Sequence, residues 1–367
     1  MAIAGLEVGL PKTVEDVDAE WMTNVLRTSG AIDSDTTVAS LRTEPFQVGV
    51  GLMGQLARIS LTYHGGDGPA TVIAKTPIGV EAQLAMAHAM NFYAREVRFY
   101  TDLDADSELR TAKVHAAMID EDQHFIIVME DLSHLRQGDR INGMSWDEAE
   151  SAVRAVAAFH AGWHESPRLD ELSETWLRID NPLYNVVLPQ IFAAGWGPCQ
   201  ANAGDLLSDE VVAFGNEFND HLAVTQQRLM TSPTIIHADY RADNMFIDND
   251  GEIVTVDFQI AGVANGTYDL AYFVSQSLEP DIRGGREREL IQIYCDTLAE
   301  HGVTRDPEVV WEDFRVALAF FLIYGVASFV EFDNLPGEGQ HVLTTLLRRC
   351  VSAIEDTDAI AAMRALA

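Results

Sequence analysis

Cysteine is scarce in this chain. Its three residues, Cys199, Cys295 and Cys350, lie far apart with no C-x-x-C pair, which argues against a disulfide framework and against a cysteine-based zinc site. They are expected as reduced, buried thiols. Positive charge is scarce as well: 24 Lys plus Arg stand against 57 Asp plus Glu, a net charge of -33. Such a surface repels nucleic-acid phosphates and anionic lipid, so neither nucleic acid nor membrane is an expected partner. The excess of acid serves solubility first, although it also favours cationic substrates. No apolar run is long enough to cross a bilayer. The longest, Val316 to Val330 between Arg315 and Glu331, falls short of the ~20 residues required and is predicted to be a buried helix. The opening MAIAGLEVGLPKTVEDVDAEW has no basic start followed by a long apolar core, so no secretory signal is expected and the cytoplasm is the expected compartment. Internal repeats and low-complexity segments are missing too.

What is present suits a folded enzyme. A chain of 367 residues, 47% hydrophobic and 22% charged, can bury the core of one large or two medium domains, which excludes disorder and fibrous repeats. Thr13 with the acidic turn after it predicts a capped helix ending near Gly30. Strands are expected at Val38 to Gln47, at Ala57 to His64 where apolar and polar residues alternate, and at TVIAK, residues 71 to 75, with Gly65 to Gly68 as a turn. Residues 80 to 103 read as one helix, and Lys113 to Ile119 and His124 to Met129 as short strands. Beyond Leu132 the texture becomes helical. Ser145 with Glu148 forms a capping box for a helix reaching His164. Later helices are predicted over Ser208 to Met230, Thr267 to Leu278, Arg286 to Glu300, Pro307 to Val330 and Gln340 to Met363. Two strands are expected between them, at Asn244 to Asp248 and Glu252 to Asp257. The stretch from Ser166 to Ser208, with Pro182, Pro189 and Pro198, reads as an irregular insertion.

Three groups of residues carry chemistry. The first is VGVGLMGQ, residues 48 to 55, a G-x-G-x-x-G built from Gly49, Gly51 and Gly54. A dinucleotide fold needs a helix right after the glycines, whereas here a period-two strand follows. That context suits a loop folded over nucleotide phosphates, or a plain glycine-rich β-turn. The second is Lys75, ending the strand TVIAK, with Glu96 on the following helix 21 residues later. An ammonium costs several kcal/mol to bury unless paired, so a carboxylate and a phosphate are its natural partners. The third is IIHADYRADNMFID followed by IVTVDFQ, in which Asp239, Asn244 and Asp257 are five and then thirteen residues apart. A hairpin through the DNDGE turn would bring Asn244 and Asp257 side by side, where their oxygens suit Mg²⁺. Asp239, one loop earlier, could take the proton of an acceptor hydroxyl, in a phosphoryl transfer that gains most from positioning and charge neutralisation.

HADYRADN followed by DFQ resembles the catalytic and metal loops of the protein-kinase-like fold, most closely its small-molecule branch: aminoglycoside phosphotransferases, choline kinases and the ecdysteroid-kinase-like families. The resemblance runs from Val48 to about Val330. It implies an α+β, bilobal protein-kinase-like fold: a β-rich nucleotide-binding lobe over residues 1–129 with an antiparallel sheet and one helix, a hinge over 130–135, and a mainly helical lobe over 136–367 with the catalytic and metal loops and the acceptor site. It also implies Asp239 as catalytic base, Asn244 and Asp257 as metal ligands, Lys75 on the α- and β-phosphates of ATP, and Glu96 as the lysine's ion-pair partner. Arg241 falls where protein kinases carry a lysine that touches the γ-phosphate. In the hinge, the carbonyl of Glu130 and the amide of Leu132 would receive the adenine edge, with Met129 behind the base. Asp269, in GTYDLAYF, resembles the aspartate that braces the catalytic loop from below.

Departures from the pattern narrow the substrate. The family's H-G-D is here His237, Ala238, Asp239, and the protein kinases' D-F-G is Asp257, Phe258, Gln259. The next predicted helix begins about ten residues later, which leaves no room for an activation loop and argues against a protein substrate. D-F-Q is most like the ecdysteroid-kinase-like group. The expected reaction is therefore ATP- and Mg²⁺-dependent phosphorylation of a hydroxyl on a small, rather apolar alcohol such as a steroid-like metabolite, with no obligate protein partner. Aminoglycosides or choline-like alcohols are the alternative acceptors, and a regulatory pseudokinase is the alternative class. His160, Trp163 and His164 fall on one helix, where His160 reads as a core histidine, since a zinc site lacks further partners. Phe320, Phe321 and Tyr324 read as core, or as one wall of an apolar acceptor pocket. Glu331 and Asp333 are expected on a solvated helix end.

Overall fold

The computed structural model describes residues 9–46, 54–104, 107–172 and 175–366. They fall into two compact units, one within Met1–Leu135 joined by Thr255–Ile260, the other within Arg136–Val254 joined by Ala261–Ala367. The first contains an antiparallel sheet, the second is mostly helical, and together they make the mixed α+β class expected from the sequence.

In the first unit the helix begins later than predicted. Thr13 donates through its amide and hydroxyl to Asp16 Oδ2 and opens only the short turn Val14–Asp16. Asp18 caps α1 (Ala19–Thr28), its carboxylate accepting from the Trp21 amide at 2.7 Å, as a short polar side chain at that position should. The sheet consists of β1 (Thr37–Phe46), β2 (Gly54–His64), β3 (Thr71–Pro77), β4 (Val114–Ile119) and β5 (Phe125–Glu130), in the order β1-β2-β3-β5-β4. One face of the sheet packs against α1. Ile59, Val72, Ala74, Ile126 and Val128 on that face pack with Trp21, Met22, Val25 and Leu26 of α1. The register pairs Ile73 with Met129 and Lys75 with Ile127. Because side chains alternate with period two, Lys75 and Met129 share the other face, away from α1.

The helix predicted over 80 to 103 is broken into α2 (Glu81–Ala89), α3 (Phe92–Arg98) and a π-helical turn, Phe99–Leu103. The break falls at Asn91, whose φ of 55° is left-handed, a conformation that asparagine tolerates better than most residues.

His115 on β4 is buried, with Nδ1 3.2 Å from Ser29 Oγ. Burial, assisted by the charge of Lys113, lowers its pKa to about 4. In the unfolded chain the ring titrates near 6.5, so below that pH the unfolded state binds a proton that the folded state refuses. Stability should therefore fall as pH drops from about 6.5 to about 4, by on the order of 2–3 kcal/mol from this group. Urea unfolding at a series of pH values should show this loss in the wild type and a shallower one in His115→Gln. Parallel curves would remove His115 from the account.

The second unit is built from α4 (Trp146–Trp163), α5 (Arg168–Leu172), α6 (Pro182–Ala203), α7 (Asp209–Arg228), α8 (Thr267–Ser277), α9 (Pro280–Arg283), α10 (Glu287–Glu300), α11 (Pro307–Phe320), α12 (Leu322–Ala327), α13 (Gly337–Asp356) and α14 (Ala359–Arg364). Short strands support its loops. β6 (Arg136–Gln137), β8 (Met245–Ile247) and β9 (Ile253–Thr255) form one sheet, and β7 (Pro233–Ile236) pairs with β10 (Gly262–Asn265). The capping box expected at α4 is present: Ser145 N donates to Glu148 Oε2 at 2.9 Å and Glu148 N to Ser145 Oγ at 3.4 Å. Every residue of α8 is buried.

The irregular insertion expected from Ser166 to Ser208 is instead largely the 22-residue helix α6, with Pro182 in its first turn and Pro189 and Pro198 inside it. An interior proline removes one hydrogen bond and clashes with the preceding turn. Here tertiary burial outweighs that cost. Leu188, Phe192, Gly195, Cys199 and Ala203 recur every three or four residues as a buried stripe, Phe192 stacks on Phe218 of α7 at 4.2 Å, and a Cβ at Gly195 would lie 2.3 Å from the carbonyl oxygen of Val326. The helix predicted from Pro307 to Val330 forms as α11, α12 and a 3-10 segment, Ser328–Asn334. As one helical stretch, Pro307–Asn334 is long and apolar enough to cross a membrane, yet 67% of its most apolar window is buried inside the protein, as befits a core helix.

Candidate active site

Two constellations carry the chemistry, one in each unit. In the first unit Lys75 lies near the end of β3 with only 5% of its surface exposed. Its Nζ is 2.7 Å from Glu96 Oε2 on α3 and 2.9 Å from Asp257 Oδ1. The pairing of Lys75 with Glu96 is the one expected from their residue types. The short contact to Asp257 is an addition that residue type and spacing do not predict. Burial alone would lower the lysine's pKa, but Asp257 and Glu96 together outweigh it and raise it, so the ammonium stays charged. Burial pushes Glu96 upward against the pull of Lys75.

Gly54 is the described glycine of the glycine-rich loop; Gly49 and Gly51 lie outside the described residues. A Cβ at Gly54 would sit 3.1 Å from Lys75 Cε and from the carbonyl oxygen of Thr76. The glycine therefore lets β2 pass close against the lysine's stem. Asp257 has a left-handed φ of 72°, a strained conformation of the kind found at functional positions. Next to it, Phe258 is fully buried and stacks on Phe99 at 3.5 Å, while Gln259 Nε2 reaches Asp257 Oδ2 at 3.5 Å. Glu130 ends β5, and Leu132 opens a short 3-10 turn capped by Asp131. The amide of such a first residue has no partner within the turn.

In the second unit the loop after β7 holds Asp239. Its Oδ1 accepts a hydrogen bond from the Tyr272 phenol at 2.8 Å and pairs with Arg241 Nε at 2.9 Å. Asn244 Nδ2 donates to Oδ2 and to the backbone carbonyl of Asp239, both at 2.9 Å. These two bonds use the amide nitrogen of Asn244 and not its carboxamide oxygen. Arg241 also lies 3.4 Å from Asp243 Oδ1. Burial raises the pKa of Asp243 against the opposing charge of Arg241. Asn244 itself ends the 3-10 turn Ala242–Asn244 just before β8, and Asp257 follows β9 by two residues. The strands of the predicted hairpin are thus shorter than expected, although the Asp248–Glu252 turn forms, with Gly251 at φ 83°.

Asp269, fully buried at the start of α8, accepts from the amides of His237 at 2.7 Å and Ala238 at 2.8 Å. His160 Nε2 is 3.1 Å from the same carboxylate and its Nδ1 is 3.0 Å from the Tyr294 hydroxyl, so it is a satisfied core histidine. Phe320 and Phe321 are fully buried, and the Tyr324 hydroxyl meets that of Tyr268 at 2.7 Å.

Ala238 stands in the loop at φ 57°, a left-handed conformation that costs an alanine about 1–2 kcal/mol. Ala238→Gly is expected to relieve that strain and, after the extra freedom glycine gains when unfolded, to stabilise the protein by about 0.5–1 kcal/mol. A lower urea midpoint in the variant would contradict this.

Tyr272 and Asp243 join this constellation without being predicted by the motif. Asp243 lies inside it. Tyr272 could have been found only by noting that it follows Asp269 by three residues and so shares its helix face.

The sequence pattern of the ecdysteroid kinase-like family matches residues 49–163 and 201–304, more than half of the chain. The unmatched stretch between them contains α5 and most of α6. No curated protein matches the chain by sequence. Among solved structures, choline kinase from Cryptosporidium parvum Iowa II is similar over 92% of this chain and 96% of its own, with 12% identity and a TM-score of 0.54. Plasmodium vivax ethanolamine kinase is similar over 97% of this chain and 93% of its own, with 9% identity and a TM-score of 0.52. At such identities the likeness is one of fold.

Proposed function

The chain belongs to the ecdysteroid kinase-like family of small-molecule phosphotransferases, and we propose that it transfers the γ-phosphoryl group of ATP, with Mg²⁺, to a hydroxyl of a small apolar alcohol such as a steroid-like metabolite. The observation that carries this reading is the buried, charged Lys75 between Glu96 and Asp257. An arrangement so costly in desolvation is explained if the ammonium serves phosphate oxygens. On this reading Lys75 bears on the α- and β-phosphates and Glu96 keeps it in place. The glycine-rich loop, through Gly49, Gly51 and Gly54, covers the phosphates, while the Glu130 carbonyl and Leu132 amide receive adenine with Met129 behind it.

Asp239 accepts the proton of the acceptor hydroxyl as its oxygen bonds to the γ-phosphorus and the bond to ADP breaks. Arg241, two residues on, neutralises charge on the transferring group. Asn244 and Asp257 are hard-oxygen donors of the type Mg²⁺ takes, and the ion, when bound, would neutralise phosphate charge. The apolar character proposed for the acceptor is supported by family membership and by the aromatic packing behind Asp239, where Tyr272 bonds the carboxylate and the Tyr324 ring lies 5.4 Å from that of Tyr272. The three free, buried cysteines support a reducing compartment, the cytoplasm.

The test is ADP release from MgATP across steroid alcohols, aminoglycosides, choline-like amines and sugars, for the wild type and Asp239→Ala. An acceptor phosphorylated by the wild type alone supports the proposal and names the class. MgATP binding with no acceptor phosphorylated would favour a nucleotide-binding regulatory module instead.

A further inference from the structure

Helix α8 lies beneath the loop that holds Asp239. α8 holds that loop at three separate points. The Asp269 carboxylate takes the amides of His237 and Ala238, the Tyr272 phenol donates to Asp239 Oδ1 at 2.8 Å, and Ser277 Oγ accepts from the Ala242 amide at 2.9 Å. The first and third of these hold backbone. Only Tyr272 reaches the side chain that the proposed reaction uses.

We propose that Tyr272 is a positioning residue for Asp239, an inference that rests on the kinase reading given above. A carboxylate offers about four lone-pair sites. Tyr272 takes one on Oδ1, where Arg241 Nε also stands as an ion-pair partner at 2.9 Å, and Asn244 Nδ2 takes one on Oδ2. The remaining Oδ2 site is left for the acceptor hydroxyl. The orientation of the carboxylate is then set from below by a rigid donor. The ring of Tyr272 is 5% exposed and lies against Phe321 at 5.0 Å and Tyr324 at 5.4 Å, so the phenol has little freedom to turn away. Burial and the neighbouring Asp239 charge raise its pKa well above the usual value for tyrosine, and it remains a donor. Arg241 could not do the same work, because its Nε is shared between Asp239 and Asp243 and its charge is wanted at the phosphate. Asn244 holds the other oxygen, Oδ2, through Nδ2, so Tyr272 is the neutral donor that fixes Oδ1.

The experiment is Tyr272→Phe, which keeps the ring and removes the hydroxyl, beside a protein with 3-fluorotyrosine at position 272, which keeps a donor. Turnover of MgATP is followed with the acceptor found in the panel above, and with water as acceptor if none is found. Crystal structures of the wild type and the Phe variant are compared. The expected result is a kcat about 10–100-fold lower in the Phe variant, with KM for ATP within twofold of the wild type. The fluorotyrosine protein should stay within threefold of the wild type, and the Asp239 carboxylate should be rotated or disordered in the Phe variant. An unmoved carboxylate would overturn the inference whether or not an acceptor is known, as would equal losses in the Phe and fluorotyrosine proteins. A wild type that consumes no ATP with any acceptor overturns the kinase reading instead, and is told apart from the former by the two structures.

Discussion

Asp239→Ala is expected to lower turnover by about 10²–10⁴-fold while leaving MgATP affinity within a few-fold of the wild type. The separation follows from where the side chain sits. Asp239 lies in the second unit, bonded to Tyr272, Asn244 and Arg241, whereas the lysine proposed to meet the phosphates belongs to the first unit, with Glu96 and Asp257. Removing the carboxylate takes away the group proposed to accept and orient the hydroxyl's proton, but no group assigned to the nucleotide. The loss in stability should be small, because Arg241 still has Asp243 at 3.4 Å and the loop backbone stays tied to Asp269. Calorimetric titration with MgATP and steady-state ADP release together check the expectation. Equal turnover in variant and wild type would remove Asp239 from the base role, and a parallel loss of nucleotide affinity would point to a folding defect.

Lys75→Met should be the most damaging change in the first unit. The lysine is 5% exposed and Glu96 1% exposed, so the substitution leaves an uncompensated buried carboxylate beside Asp257. Breaking a buried pair from one side costs about 3–5 kcal/mol. The sign of its pH dependence follows from Glu96. Burial already raises this carboxyl's pKa, and Lys75 is the charge that restrains the rise; without the lysine the folded-state pKa climbs further. A folded-state pKa above the unfolded value means that the folded protein binds the extra proton. The variant's stability should therefore be lost as pH rises from the ordinary glutamate range towards the raised pKa. It should be least impaired in mild acid, with the gap to the wild type widening towards neutral pH. Adding Glu96→Gln should recover part of the loss. Urea unfolding at several pH values measures all of this, and a pH-independent deficit would contradict the assignment of the buried charge. MgATP affinity should fall in both variants, since the ammonium is gone in each.

Much of this architecture could be read along the chain. Alternation of apolar and polar residues announced the strand from Ala57 to His64, an apolar stretch the one from Thr71 to Lys75, and the DNDGE turn the pair of short strands on either side of it. Ser145 and Glu148 announced the start of α4. Lysine at an apolar strand end called for a carboxylate, and Glu96 answers it at 2.7 Å. These features act over one turn, one strand or one charge, and physical chemistry at that range depends little on the rest of the molecule.

Other features escaped because their causes are distant in sequence. α6 runs through Pro189 and Pro198 since its buried stripe meets Phe218 and Val326, neither visible in its own composition. The helix expected from 80 to 103 breaks at Asn91, whose left-handed φ of 55° no local pattern announces. β7 and β10, each of four residues, are too short for periodicity to register.

By itself, then, the sequence determined the acidic surface, the absence of a disulfide framework, the strands of the β-rich unit, and the residue types able to handle phosphate, metal and proton. Tertiary structure alone decided which partners those residues keep: that Lys75 also holds Asp257, that Arg241 is drawn between Asp239 and Asp243, and that Tyr272 supports Asp239 from a buried helix 33 residues later. The reason is that spacing constrains only the backbone near each residue. Tyr272 meets Asp239 because helix α8, which carries it, buries every one of its faces, and that requirement belongs to the packed second unit as a whole.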